Sequence, residues 1–384
     1  MLVIACLCVL WILLFLYLMW VGKHLTTFHR QQVSEPQSWP RLSIIVPACN
    51  EGAHIEQAVR SLLAQDYPQL QLVLVNDRSS DNTGAIIDGL AATDDRVRAI
   101  HIEELPPGWL GKVHAMHCGM QHAEGDWILF TDADIHFHGD VLRKAIAYSV
   151  DRGIDHLAMV PRMQMNNFWL QLAVTTFGVM FFVGSRGGVI NHRHKFRPPV
   201  GIGAFNLVKK ATFDRTPGFE WLRLEVVDDV GLGLMLQNAG GQTHFAMAEE
   251  ELSLDWYPSL RAMFKGLEKN IFGAGARYQV SRVLVQVFLT WLLIAAPWLA
   301  LFSPEPVLQG LAGLALCVHV WFALSFVRLS RWESAYLLAL PLGLVLLSAM
   351  LLWSAFQCIR NGGVDWRGTH YSMQELKQGQ RVKF

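Results

Sequence analysis

The 384-residue chain is 52% hydrophobic and only 17% charged, and its apolar residues are gathered into blocks, which excludes an ordinary soluble protein. Lysine plus arginine and aspartate plus glutamate number 32 each, so no field of one sign recruits nucleic acid or an acidic partner. The six cysteines, at 6, 8, 49, 118, 317 and 358, form no CxxC pair and no regular framework, which fits a reducing cytoplasmic face without structural zinc.

Residues 1–22 carry no charge and are long enough to cross a bilayer. The segment lacks a basic start and runs into Tyr17-Leu18-Met19-Trp20 instead of the small residues of a cleavage site, so it reads as a retained anchor, not a signal peptide. Lys23, His24, Arg30 and Arg41 follow, and the positive-inside rule puts the middle of the chain in the cytoplasm, under an inner or plasma membrane of the bacterial kind. Residues 23–40, with Pro36 and Pro40, read as a linker.

From 41 to about 250, β-branched runs alternate with amphipathic stretches, the mark of an α/β unit with a largely parallel sheet. Leu42–Val46, Leu72–Asn76, Val97–Ile102 and Trp127–Thr131 read as strands; His54–Ala64, Asn82–Ala92, Lys112–Ala123 and Gly139–Asp151 read as helices. Phe168–Ser185 is free of charge and reads as an apolar helix, interfacial or buried, because a fifth span there would divide the site between two sides of the membrane. Three more uncharged segments, 283–302, 307–327 and 335–358, follow the 41–282 unit and read as transmembrane helices. Three crossings would leave the 360–384 tail outside, yet it carries Arg360, Arg367, Lys377, Arg381 and Lys383. A break at Pro341 and Gly343 that stops the last segment from crossing would return Trp366 and Arg367 to the site.

Ligands of such sheets lie beyond the carboxyl ends of the strands, and polar residues stand there: Pro47-Ala48-Cys49-Asn50-Glu51, Asn76-Asp77 and Thr131-Asp132-Ala133-Asp134. Asp132 and Asp134, two apart, leave one face of an extended backbone and can share a hard cation, Mg²⁺ or Mn²⁺, that also holds a diphosphate, although a lone Asp-x-Asp is more often a pair of solvated loop acids. Asp77 can accept from a base or ribose, with Asp81 and Asn82 left to cap the next helix. Lys112 opens a helix and suits a phosphate. Asp228 and Asp229 precede an apolar run: either caps a helix, and either can take a proton from an attacking hydroxyl, Asp229 before Asp228. His114 with His117, and His192 with His194, lack the third ligand of a zinc site, and the Met and Phe residues of 159–182 read as core.

Ile45-Val46-Pro47 with Asn50-Glu51, Val75-Asn76-Asp77-Arg78-Ser79-Ser80-Asp81-Asn82-Thr83, Gly111-Lys112, Thr131-Asp132-Ala133-Asp134 and Asp228-Asp229 occur in an order and spacing that resemble the family 2 inverting glycosyltransferases of GT-A fold. The resemblance implies a nucleotide-diphosphate sugar donor, a uridine nucleotide favoured, with Pro47, Asn50, Glu51, Asp77, Lys112 and Asp132 on the donor side. It also implies Asp77 on the base, Asp132 on ribose or metal, Asp134 on the metal and Asp229 as catalytic base. Pro106–Lys112, Gly266–Asn270 and the tail Gly362–Tyr371, with its Trp366-Arg367-Gly368-Thr369, are similar to a membrane-bound, lipid-related branch that includes ceramide glucosyltransferase and the hopanoid- and carotenoid-associated enzymes. There a lipid acceptor is implied, with Lys269, Asn270, Trp366 and Arg367 on the acceptor or donor side. The family's usual Glu-Asp is Asp228-Asp229 here, and the Gln-x-x-Arg-Trp motif of processive synthases is absent from 256–275. A single transfer is therefore expected, ahead of a processive polysaccharide synthase or a non-catalytic scaffold of the same fold; a transporter is further off, since the spans hold no charge.

Overall fold

The computed structural model describes residues 1–163, 165, 167–185, 191, 198–327 and 333–383; His192 and His194 lie outside the described residues. The uncharged start forms α1 (Leu2–Lys23). Leu-Ser-Ile-Ile-Val-Pro-Ala then forms β1 (Leu42–Ala48), buried along almost its whole length as a central strand must be. It leads through α2 (Ile55–Leu63), β2 (Leu70–Asp77), α3 (Thr83–Thr93), β3 (Val97–Ile102) and α4 (Gly111–Met120) to β4 (Trp127–Phe130). β1 pairs in parallel with β2 on one side and β4 on the other. The chain thus winds outward from β1 in both directions, and the crevice between the ends of β1 and β4 is the topological switch point. β1 outlasts β4: their pairing stops at Ile45 with Phe130, and Pro47, which has no N–H to give, stands where the strand edge faces that crevice.

Next come β5 (His136–Phe137), α5 (Val141–Asp151), β6 (His156–Val160), β7 (Arg162–Met163), α6 (Phe168–Ser185), β8 (Asn206–Lys209), α7 (Lys210–Phe213), α8 (Asp228–Asn238), β9 (Thr243–Met247) and β10 (Leu252–Leu254). The main sheet has the order β3-β2-β1-β4-β8-β6-β9 and is parallel except for β8, antiparallel to both β4 and β6. A second, three-stranded sheet has the order β5-β10-β7.

The remainder is α9 (Leu260–Leu267), α10 (Ile271–Ala276), α11 (Val280–Leu301), α12 (Pro306–Phe326), α13 (Ser334–Leu338), α14 (Leu340–Arg360), β11 (Gly363–Trp366), β12 (Thr369–Ser372) and α15 (Met373–Gly379). Among the described residues five helices, α1, α6, α11, α12 and α14, are long and apolar enough to cross a membrane. The break expected at Pro341 and Gly343 falls just ahead of them, at Ala339, where the apolar segment divides into α13 and α14. Pro341 sits in the first turn of α14, where its missing N–H is harmless, and Gly343 lets α14 pass so close to α6 that a Cβ would fall 1.8 Å from Oγ1 of Thr176.

Candidate active site

The loops after β1 and β2 are laced together. Asn50, held at φ 57°, accepts at Oδ1 from the Ser80 N–H (2.8 Å), and its own N–H donates to Oγ of Ser79 (3.0 Å). The Glu51 N–H donates to Oγ1 of Thr83 at 2.8 Å. Asp81 accepts from the Thr83 N–H at 3.0 Å at the start of α3; Asn82, expected to share that work, makes no side-chain cap. Asn50 is thus committed to welding the two loops.

Asp77 ends β2 nearly buried and is not free. The Arg78 guanidinium grips both its oxygens, at 2.8 and 3.2 Å, and reaches Oγ1 of Thr369 in the tail at 3.2 Å. The pair lies against the first turn of α4, where a Cβ on Gly111 would come within 2.3 Å of Asp77 Oδ2. Only glycine leaves room for it.

Asp132-Ala133-Asp134 follows β4 as a turn, not as the extended segment expected, so the two carboxylates are neighbours through the turn. Lys112 Nζ is 2.6 Å from Asp132 Oδ1 and 3.5 Å from Asp228 Oδ2. Burial opposes its charge, but Asp132, Asp228 and Asp229 more than reverse that and hold the ammonium above its ordinary range. Asp134 forms no ion pair among the described residues, and Lys112 acts on it only weakly from a distance. Burial first, then Asp132 and Glu51, push its carboxyl up to about 7. A hard divalent cation fits such a crowded pair: two carboxylates from the protein, with phosphate oxygens and water completing the shell. Among the described residues no group of three or more His, Cys, Asp or Glu gathers to hold a metal alone.

The floor of the crevice is the start of α8. Asp228 is 6% exposed, and burial raises its carboxyl against the pull of Lys112. Asp229 is pushed up to about 7 by burial and then by Asp228. It spends one oxygen on the Val230 N–H (2.8 Å) and the other on the Gly203 N–H (3.1 Å). The Gly203 carbonyl in turn accepts from the Asp132 N–H at 3.1 Å, so one residue ties the two acidic motifs together. Residues 200–203 can press onto α8 because Cβ atoms on Gly201 and Gly203 would meet the Asp229 carbonyl at 1.7 Å and Asp132 Oδ2 at 2.6 Å. Asn206 braces the loop, accepting from the Ile202 N–H (3.2 Å) and paired with buried His156, which burial pushes down to about 4 and keeps neutral.

The tail closes the other wall. Arg367 (φ 49°) and Gly368 (φ 80°) form the two-residue turn between β11 and β12, and Arg367 pairs with Glu51. Lys269 Nζ lies 3.8 Å over the Trp366 ring; burial, then Lys112, push its ammonium down to about 8. The next residue, Asn270, has its Oδ1 buried without a hydrogen-bond partner among the described residues. Further along, buried Glu225 accepts from the Arg381 and Val382 N–H groups at 2.6 and 2.9 Å and from Val227 at 3.2 Å, fastening the chain end to the approach of α8.

The structure therefore brings Pro47, Lys112, Asp132, Asp228 and Asp229 to one crevice, with Glu51, Asp134, Lys269, Trp366 and Arg367 at its rim and Asp77 behind Arg78. Sequence reasoning passed over Arg78, Gly203 and Glu225. The glycine spacing in Gly201-Ile202-Gly203 was the one available signal, since paired glycines mark close backbone approach. His114 and His117, the pair without a third ligand, pack against Trp109.

An arrangement of acids, lysine and strand-end loops at the switch point of a mostly parallel sheet can hold a charged donor and take a proton from an incoming hydroxyl. Residues 43–231 match the family model described as Glycosyl transferase family 2. A 4,4'-diaponeurosporenoate glycosyltransferase of Staphylococcus aureus is 23% identical over 346 residues, 87% of this chain and 89% of that one. Glycosyltransferase GlyG of Streptococcus pneumoniae is 34% identical over 93 residues, which cover 24% of this chain and 30% of GlyG. Among solved structures, the mannosyltransferase PcManGT from Pyrobaculum calidifontis, in complex with GDP-Man and Mn²⁺, shares the fold at a TM-score of 0.50 and 18% identity, over 93% of this chain and 99% of that one. The ordered motifs, the sheet that carries them and the matched span lead to one conclusion: residues 43–231 of this chain form a family 2 glycosyltransferase domain.

Proposed function

We propose that the protein transfers one sugar, with inversion, from a nucleotide-diphosphate sugar to a hydroxyl of a lipid or lipid-linked acceptor at the cytoplasmic face of the membrane. The observation that carries this reading is the Gly203 bridge, which couples the Asp132-Asp134 turn to Asp229 across one crevice. In this scheme the nucleotide lies along the ends of β1 and β2, near Pro47, Glu51 and the Asp77–Arg78 pair, with a uridine nucleotide the first to try. Asp134 and Asp132 would hold Mg²⁺ or Mn²⁺, which when bound offsets the charge of the departing diphosphate. Lys112, Lys269 and Arg367 are the cations within reach of the same phosphates. Asp229 accepts the acceptor's proton as its oxygen attacks the anomeric carbon, and Asp228 beside it, paired with Lys112, keeps the floor charged.

The acceptor side is supported by what adjoins the crevice. Tyr257, pushed up to about 12 by burial and then by Asp134, packs against Trp256 and against Gly266 of α9, and Trp256 meets Phe177 of α6. An apolar path thus runs from a membrane-facing helix to the acid turn. The Staphylococcus relative is, by its name, a glycosyltransferase of 4,4'-diaponeurosporenoate, and a lipid-type acceptor is the reading that both features favour. Purified protein in lipid nanodiscs, given donor, cation and lipid acceptor, should release one nucleoside diphosphate per product, and the product should carry one sugar of inverted configuration. A product with many sugars, or with retained configuration, overturns the reading.

A further inference from the structure

We infer that α14 does not cross the membrane: with α6 it forms an apolar surface that sits in the leaflet facing the active site, and only α1, α11 and α12 span. The number of crossings is constrained by where the chain enters and leaves the apolar helices. α10 precedes the apolar helices and β11 follows them, and both belong to the catalytic unit: Gln380 Nε2 donates to the Gly273 carbonyl (2.9 Å), Arg78 binds Thr369 and Glu225 binds Arg381 and Val382. Between Ala276 and Gly363 the chain must therefore cross an even number of times, so α11, α12 and α14 cannot all cross.

Packing decides which one stays. The distal cluster, around Cys8, Ala296, Ala300, Leu308 and Ala312, draws on α1, α11 and α12 alone. The end of α13 and the start of α14 pack toward the other end of the bundle: Leu337 and Leu340 share a cluster with Leu18 and Met19 of α1 and Phe322 and Phe326 of α12, within the last two turns of each, and His319 Nε2 lies 2.9 Å from the Leu337 carbonyl. The far end of α14 is at the same level. Ser354 Oγ donates to the Glu268 carbonyl (2.7 Å), and Ala355 and Cys358 pack with Val283 and Val287 in the first turns of α11. Both ends of a 21-residue helix, about 30 Å long, thus touch the proximal ends of the spanning helices, so α14 lies across the bundle and not along it. α6 is returned in the same way, since β7 before it and β8 after it belong to sheets of one unit.

The charge pattern agrees independently. Arg328 and Arg331 follow α12, and Arg360, Arg367, Lys377, Arg381 and Lys383 follow α14, whereas the α11–α12 link carries only Glu305. Leu342, Phe356 and Ile359 of α14 and Trp169 and Met180 of α6 stay exposed, and their partner is the hydrocarbon of that one leaflet. A lipid acceptor in the same leaflet would lie beside Glu268, next to Lys269.

Single cysteines in a cysteine-free full-length chain, probed with a membrane-impermeant maleimide in intact cells and again after permeabilisation, test this without any assay of activity. Gln57→Cys marks the catalytic side. Glu333→Cys and Lys383→Cys should both label together with it, and Glu305→Cys should label from the opposite side. Labelling of Lys383→Cys with Glu305→Cys would make α14 a span and overturn the inference. Labelling of Glu333→Cys with Glu305→Cys would make α14, not α12, the returning span and overturn it equally.

Discussion

Replacing Asp229 by asparagine separates the chemistry of the site from its stability. The side chain keeps its shape and one carbonyl oxygen, which can serve either the Val230 N–H at 2.8 Å or the Gly203 N–H at 3.1 Å, but its amide then faces the other donor. One hydrogen bond lost costs about 1 kcal/mol. Against this stands the charge itself: burial and Asp228 lift the carboxyl from 3.8 to about 7, so the folded state resists ionising it. A group whose folded pKa is raised contributes stability below its unfolded pKa, and loses that contribution as pH climbs toward the folded value. The wild type should therefore lose thermal stability relative to Asp229→Asn between about pH 4 and pH 7, and the variant should melt no lower than wild type at pH 8. Loss of the base should lower turnover roughly 10²- to 10⁴-fold, with nucleotide affinity unchanged. Turnover by initial rates, affinity by calorimetry and melting by fluorescence, all at pH 8, complete the test. Turnover within a few-fold of wild type would refute the role of Asp229; a collapse of both melting temperature and nucleotide affinity would make it a structural residue.

Lys269, pushed down to about 8, should give turnover an alkaline limb near that pH, and Lys269→Arg should move the limb upward while Lys269→Met removes it; a pH profile unchanged in both excludes the lysine from the site. Gly203→Ala sets a Cβ 2.6 Å from Asp132 Oδ2 and should weaken metal-dependent nucleotide binding by about 1–3 kcal/mol, read by calorimetry. Ending the chain after Gln380 strips two N–H donors from buried Glu225 and should cost about 1–3 kcal/mol of stability for each, visible as a lower melting temperature. Chelation should stop turnover and added Mg²⁺ or Mn²⁺ restore it, whereas Asp134→Ala should not respond to either cation.

Much of this was legible in the chain. β1 to β4 are short runs rich in aliphatic and aromatic residues that end in polar loops, and each alternates with a helix, so their order alone sets the switch point. β8 was not legible: Asn206–Lys209 is four residues long and runs antiparallel, and no local pattern records that it fills the space between β4 and β6. The Asp77–Arg78 pair escaped notice because a neighbouring charge in sequence says nothing of where it folds, and the contact with Thr369 spans 291 residues. Hydropathy found α14 but not its direction, since composition measures how apolar a helix is and only its partners, Thr176, Glu268 and the ends of α1 and α12, say how it lies.

The most direct test of the central claim is transfer itself. Membranes carrying the protein, given a panel of labelled nucleotide sugars with Mg²⁺ or Mn²⁺ and a total lipid extract, should yield one labelled lipid from one donor, and membranes carrying Asp134→Ala should yield none. Failure of every donor to turn over under these conditions, or equal label with Asp134→Ala, would contradict the account.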